Sequence, residues 1–117
     1  VNFDDEMREL IERCPGARGA AIVDPDGIPV VVIPDEGALE ALGTEFAAIV
    51  GGVDRAGREF HHGGLQQLSV YAENAVVILT SLAAGYFLVL VLDREGLGGK
   101  ARFLSRLAGE RLYSEFV

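Results

Sequence analysis

The stretch Gly96-Leu97-Gly98-Gly99-Lys100-Ala101 has the ingredients of a phosphate cradle: glycines, then a lysine where a helix can begin, so that bare backbone N–H groups and an ammonium face an anion. Two positions break the pattern. A P-loop needs a glycine five residues before the Gly of its Gly-Lys pair, where this chain has Arg94, and a magnesium-holding hydroxyl after the lysine, where it has Ala101. No nucleotide and no other cofactor is expected here. His61-His62 are adjacent, so they point to different sides of a helix or strand, and no third His completes a metal site. At a helix C-terminus they interact favourably with its dipole instead. Cys14 sits at the apolar end of a helical pattern and reads as a small core residue; as the sole cysteine it has no intrachain disulfide partner, which favours a reducing compartment, the cytoplasm. Ser69, Ser81, Ser105, Ser114, Thr44 and Thr80 lack the strand–turn–helix context of an activated nucleophile. The residues therefore argue against an enzyme and direct attention to surfaces.

The elements that must build those surfaces are legible from periodicity and punctuation. Phe3, Met7, Leu10, Ile11 and Cys14 recur at helical spacing behind Asp4, Asp5 and Glu6, and Pro15-Gly16 ends that helix. Ala17 to Val23 and Ile28 to Ile33 are apolar and partly β-branched; the turn Asp24-Pro25-Asp26-Gly27 between them predicts a hairpin. From Pro34-Asp35-Glu36-Gly37 a long helix is predicted to about His61, with Leu39, Leu42, Phe46, Ile49, Val50, Val53 and Phe60 on its core face and Gly63-Gly64 as its stop. Three strands follow, Leu65 to Ala72, Ala75 to Leu82 and Tyr86 to Leu92, joined by reversals at Glu73-Asn74 and Ala83-Ala84-Gly85. A basic amphipathic helix from Leu97 to Leu112, carrying Lys100, Arg102, Arg106 and Arg111, closes the chain. The order α-β-β-α-β-β-β-α implies one antiparallel sheet with helices on its faces.

At 117 residues there is room for one domain, spanning 1–117. Half the residues are apolar and the formal net charge is −8, with no basic cluster dense enough to follow a phosphate backbone, so nucleic acid is not an expected partner. The longest apolar run, Tyr86 to Leu92, is far short of the roughly 20 residues that cross a bilayer, so no membrane insertion is expected. No N-terminal segment combines basic residues, an apolar stretch and a small-residue cleavage site.

The flanks of the middle helix are unusually small. Gly43, Ala47 and Gly51 form one stripe beside the core face; Ala41, Glu45, Ala48 and Gly52 form another on the opposite flank. Glycine inside a helix costs about 1 kcal/mol relative to alanine, so several of them call for close approach of another backbone. That approach is expected from a second copy of the chain at Gly43, Ala47 and Gly51, with Val70 of the half-exposed third strand beside them; the alternative is the chain's own sheet, since core contacts also favour small residues.

Three strings carry a resemblance to a known family: the run from Gly16 to Gly27 with Ile28-Pro29-Val30, the strand Tyr86-Phe87-Leu88-Val89-Leu90-Val91-Leu92, and Gly99-Lys100-Ala101-Arg102-Phe103-Leu104. With the element order, they resemble the roadblock family of dynein light chains, lysosomal scaffold subunits and bacterial regulators of Ras-like GTPases such as gliding-motility protein B. The resemblance implies a profilin-like fold: a five-stranded antiparallel sheet in the order 2-1-5-4-3, the long helix on one face and the terminal helices on the other. It further implies a homodimer paired through the middle helix and third strand. A non-enzymatic platform binding a small Ras-like GTPase is the expected function, with Glu45, Arg55, Arg58 and Glu59 presenting charge to the partner, the terminal helix with Arg102, Arg106 and Arg111 as the competing surface, and the chain itself binding no GTP. The alternative is a small-molecule sensor on a related sheet. It would need polar groups pointing into the apolar interior, which the strands Ile28 to Ile33 and Tyr86 to Leu92 do not offer.

Overall fold

The protein is described by a computed structural model covering residues 2–117. Helix α1 spans Phe3–Arg13; the Asn2 side chain accepts the Asp5 N–H at 3.1 Å and so satisfies one of the donors a helix start leaves open. It buries Met7 and Leu10. Strands β1 (Ala17–Val23) and β2 (Pro29–Ile33) form the predicted hairpin. Its turn is held by one carboxylate oxygen, Asp24 Oδ1, which accepts the N–H groups of Asp26 at 2.8 Å and Ile28 at 2.9 Å. Ile28 is therefore part of the turn and is exposed, and the strand starts one residue later than expected.

Helix α2 runs Gly37–Glu59, ending two residues before His61, where the backbone turns left-handed (φ 63°) and the His62 N–H wraps back to the Gly57 carbonyl at 2.8 Å. Strands β3 (Gln67–Tyr71), β4 (Ala75–Ser81) and β5 (Phe87–Asp93) make the antiparallel meander, and a single 3₁₀ turn at Ala83–Gly85 joins the last two. Helix α3 (Gly98–Leu112) continues into a 3₁₀ turn, Tyr113–Phe116. The sheet order is β2-β1-β5-β4-β3, antiparallel throughout, as the resemblance implied.

Side chains alternate across the sheet and sort into two layers. On one face Ala20, Ile22, Val76, Ile78, Leu88, Leu90 and Leu92 pack under α1 and α3; on the other Ala21, Val23, Val77, Leu79, Phe87 and Val89 pack under α2 through Val50. Arg111 ties α3 to α1 by a 3.0 Å ion pair with Glu6. On the α2 side Leu68 and Val70 of β3 and Val91 of β5 stay only partly buried, so α2 alone does not finish covering its side of the sheet. No described helix is long and apolar enough to cross a membrane.

Candidate functional site

The apolar residues of α2 divide between two directions. Leu39, Gly43 and Val50 point onto the chain's own sheet and are buried. Leu42, Phe46, Ile49, Val53, Ala56 and Phe60 follow one another at alternating intervals of four and three, the spacing of a coiled-coil seam. Leu42 and Phe46 are half-buried, joining Leu68 and Val70 of β3 in the α2-side core. The rest of the seam is open: Ile49 is 49% exposed, Val53 39% and Phe60 72%. The expected single core face, Leu39 to Phe60, is thus two stripes, because its apolar arc is wider than one contact with a sheet can cover. Beside the seam lies β3, paired with β4 on one edge only and with its other edge unpaired among the described residues.

Two of the small-residue positions are filled from within the chain. A Cβ at Gly43 would come within 2.8 Å of Val23 Cγ2, so this glycine lets α2 settle onto β1. Ala47 lies against Gly27 in the hairpin turn, where Thr44 Oγ1 donates to the Gly27 carbonyl at 2.7 Å. Gly43 and Ala47 thus serve an approach made within one chain. Gly51 lies on the same flank, opposite the seam, and Val70 lies on the seam side.

The four charged residues separate likewise. Glu45, Arg55 and Glu59 stand on the outward side of α2 and make no ion pair among the described residues. The Arg55 guanidinium lies back over Gly51 and Gly52, whose missing side chains leave the helix surface bare. Arg58 is already engaged by Asp54, its Nε donating to Oδ2 at 2.9 Å. The other oxygen of Asp54 accepts the Leu65 N–H at 2.8 Å, so this carboxylate anchors the approach to β3. The Arg58 hydrogen bond, then the Leu65 N–H, hold the Asp54 carboxyl below the usual carboxylate range. A group whose folded pKa is depressed stabilises above its unfolded pKa and stops doing so as pH falls through the folded value. Asp54→Asn is therefore expected to lower stability at neutral pH by up to about 1 kcal/mol, the pair being partly exposed. Its deficit against wild type should close below about pH 4, read from urea midpoints across the acid range.

Among the described residues the chemistry-bearing positions form no catalytic grouping. Burial pushes the Cys14 thiol up, against smaller pulls from Lys100 and Arg13. No cluster of three potential metal ligands occurs among the described residues. An open recess of about 980 Å³ lies at the turn end of the sheet; of its four charged lining residues Asp54 and Arg58 pair with each other, and Arg106 and Glu110 stand across from them on α3.

Residues 3–97 match the Roadblock/LC7 domain family. The structure is similar to a Roadblock/LC7 domain from Streptomyces avermitilis, with a TM-score of 0.89 at 16% identity over 98% of each chain. It is similar also to the gliding protein MglB from Thermus thermophilus (TM-score 0.82, 21% identity, 96% of this chain and 88% of that one). MglC from Myxococcus xanthus gives a TM-score of 0.70 at 25% identity over 98% of this chain and 99% of its own. No curated protein sequence matches.

Proposed function

Because the chain belongs to the Roadblock/LC7 domain family, we propose that it is a homodimeric, non-enzymatic cytoplasmic platform that binds a small Ras-like GTPase and regulates its nucleotide cycle or location. The observation that carries the dimer is the open seam of α2 lying beside the unpaired edge of β3. A two-fold axis there would set Ile49, Val53 and Phe60 of one protomer against the partner's helix. It would also pair β3 with its mate, removing both an exposed apolar stripe and an open sheet edge. Val70 belongs to this interface, and the seam takes the place of the Gly43, Ala47 and Gly51 stripe in it.

Pairing two α2 helices would create a broad surface, with bare positions at Ala48 and Gly52 rimmed by Glu45, Arg55 and Glu59 from each protomer. A single short helix would expose less than the roughly 800 Å² per partner of a standard interface, whereas two symmetry-related helices would give a broad, continuous surface. The GTPase is placed on this surface, and charge at its rim would set approach and register. Family membership and charge placement support this docking face; the partner's role comes from the resemblance.

Sedimentation equilibrium tests the first half. At tens of micromolar the mass is expected to be twice the 12.5 kDa of one chain; a monomer at that concentration would refute the dimer.

A further inference from the structure

Four arginines are neutralised by carboxylates: Arg13 by Glu9, Arg18 by Asp93, Arg58 by Asp54 and Arg111 by Glu6. Three others gather where α3 flanks β3, on the face of the sheet opposite α2, and make no ion pair among the described residues. Neutral groups hold them in a row. The Arg94 guanidinium stands 5.6 Å from the centre of the Tyr71 ring, and Arg102 Nη1 donates to the Tyr71 hydroxyl at 3.3 Å. The Arg102 carbonyl accepts from Gln67 Nε2 at 3.0 Å, and Gln67 Oε1 accepts from Arg106 Nη1 at 3.2 Å. A neutral acceptor fixes a guanidinium without cancelling its charge, so the row is a preformed cationic strip on a chain of net charge −8. Apolar surface accompanies it: Tyr71 is 61% exposed and Phe103 52%.

We propose that this strip is a second docking surface, which takes an acidic segment of a protein partner. The segment's carboxylates would lie on Arg94, Arg102 and Arg106, and an apolar side chain on Tyr71 and Phe103. Guanidinium forks match carboxylates two bonds at a time, and the aromatic neighbours add a contact that a purely ionic ligand would not use. The remaining charge selects for a narrow ligand. An extended anionic surface, a bilayer or a duplex, would meet the acidic bulk of the molecule together with the strip, whereas a single chain meets the strip within about one Debye length, ~8–10 Å. The strip also begins at the β3 edge. In the proposed dimer two strips would approach each other across the axis, on the side away from the GTPase, so both partners could be held at once.

The test is fluorescence anisotropy of a labelled oligoglutamate peptide with one central leucine, titrated with the full chain at about 50 mM salt. Binding in the micromolar range is expected, weakened at least about tenfold in Arg102→Gln/Arg106→Gln and unchanged in Arg8→Gln/Arg13→Gln, which removes the same charge from α1. Arg94→Gln, outside any helix, should weaken it too and serves if the α3 variant melts early. Failure to bind below millimolar, equal loss in both double variants, or pelleting by phosphatidylserine-rich vesicles that the peptide cannot displace would each overturn the proposal. None of these depends on whether a GTPase binds the other face.

Discussion

Glutamates at Ile49 and Val53 are expected to turn the proposed dimer into a folded monomer. Each side chain lies in the open half of the seam, so the charged variants remain solvated in the separated chain and its own core loses little. In the dimer the same carboxylates would be desolvated and set close to their symmetry mates. Truncating one of the few residues that dominate an interface costs about 2 kcal/mol or more, and burying unpaired charge adds to that, so the dissociation constant should rise at least about a hundredfold. Sedimentation should report half the wild-type mass with an unchanged far-ultraviolet circular dichroism spectrum. A variant that keeps the full mass would remove α2 from the interface. Gly51→Arg makes the complementary comparison: it lies across the helix from the seam and should leave the mass unchanged.

Gly16→Val should cost far more folding stability than any of the surface substitutions. Gly16 has φ +87°, and a Cβ there would sit 2.7 Å from the Cα of Gly96, so that two stretches of main chain would have to part. The crossing carries structure on both sides: the Asp93 N–H bonds the Gly16 carbonyl at 2.8 Å, and the Leu97 N–H reaches the Pro15 carbonyl at 3.4 Å just before α3 begins. Left-handed strain and backbone overlap together cost about 3 kcal/mol or more, a fall of roughly 10–20 °C in melting temperature for a domain of this size. Gly37→Ala is the control, since nothing lies within 4 Å of a Cβ there and its backbone is helical. It should melt within a few degrees of wild type, and equal losses in the two variants would contradict the crossing as the cause.

Both expectations turn on which side of a helix or loop meets which neighbour, and that is where the sequence was least informative. The hairpin, the meander and the three helices were legible because each has a local cause: Pro25 and Gly27 in a turn, alternation at Leu68 and Val70, Pro15 after α1. The small flank of α2 was legible as well, but which of two neighbours fills it, a second copy or the chain's own sheet, was not. Gly43 faces Val23, twenty positions earlier in the chain, and helical spacing specifies an angle around an axis without saying where the sheet lies. The seam from Leu42 to Phe60 was visible as spacing, and an apolar arc too wide for one contact was the signal that separates it from the core stripe. Of the charged positions, Arg58 could not be told from Arg55 without knowing that Asp54 also holds the Leu65 N–H. The arginine strip was half legible: Arg102 and Arg106 fall on one flank of α3, but only the packing of α3 beside β3 brings Tyr71 between Arg94 and Arg102.

Whether paired α2 helices present a GTPase-binding face is decided by sedimentation velocity of the wild-type chain mixed with a purified small Ras-like GTPase from the same host, loaded in turn with GDP and with a non-hydrolysable GTP analogue. A complex containing two copies of this chain is expected in at least one nucleotide state. It should be lost in Glu45→Arg/Arg55→Glu while that variant keeps the dimer mass and melting temperature, Arg58 being left in place because it anchors Asp54. No complex in either nucleotide state, or a complex that survives Glu45→Arg/Arg55→Glu intact, would contradict a GTPase seated on the paired helices.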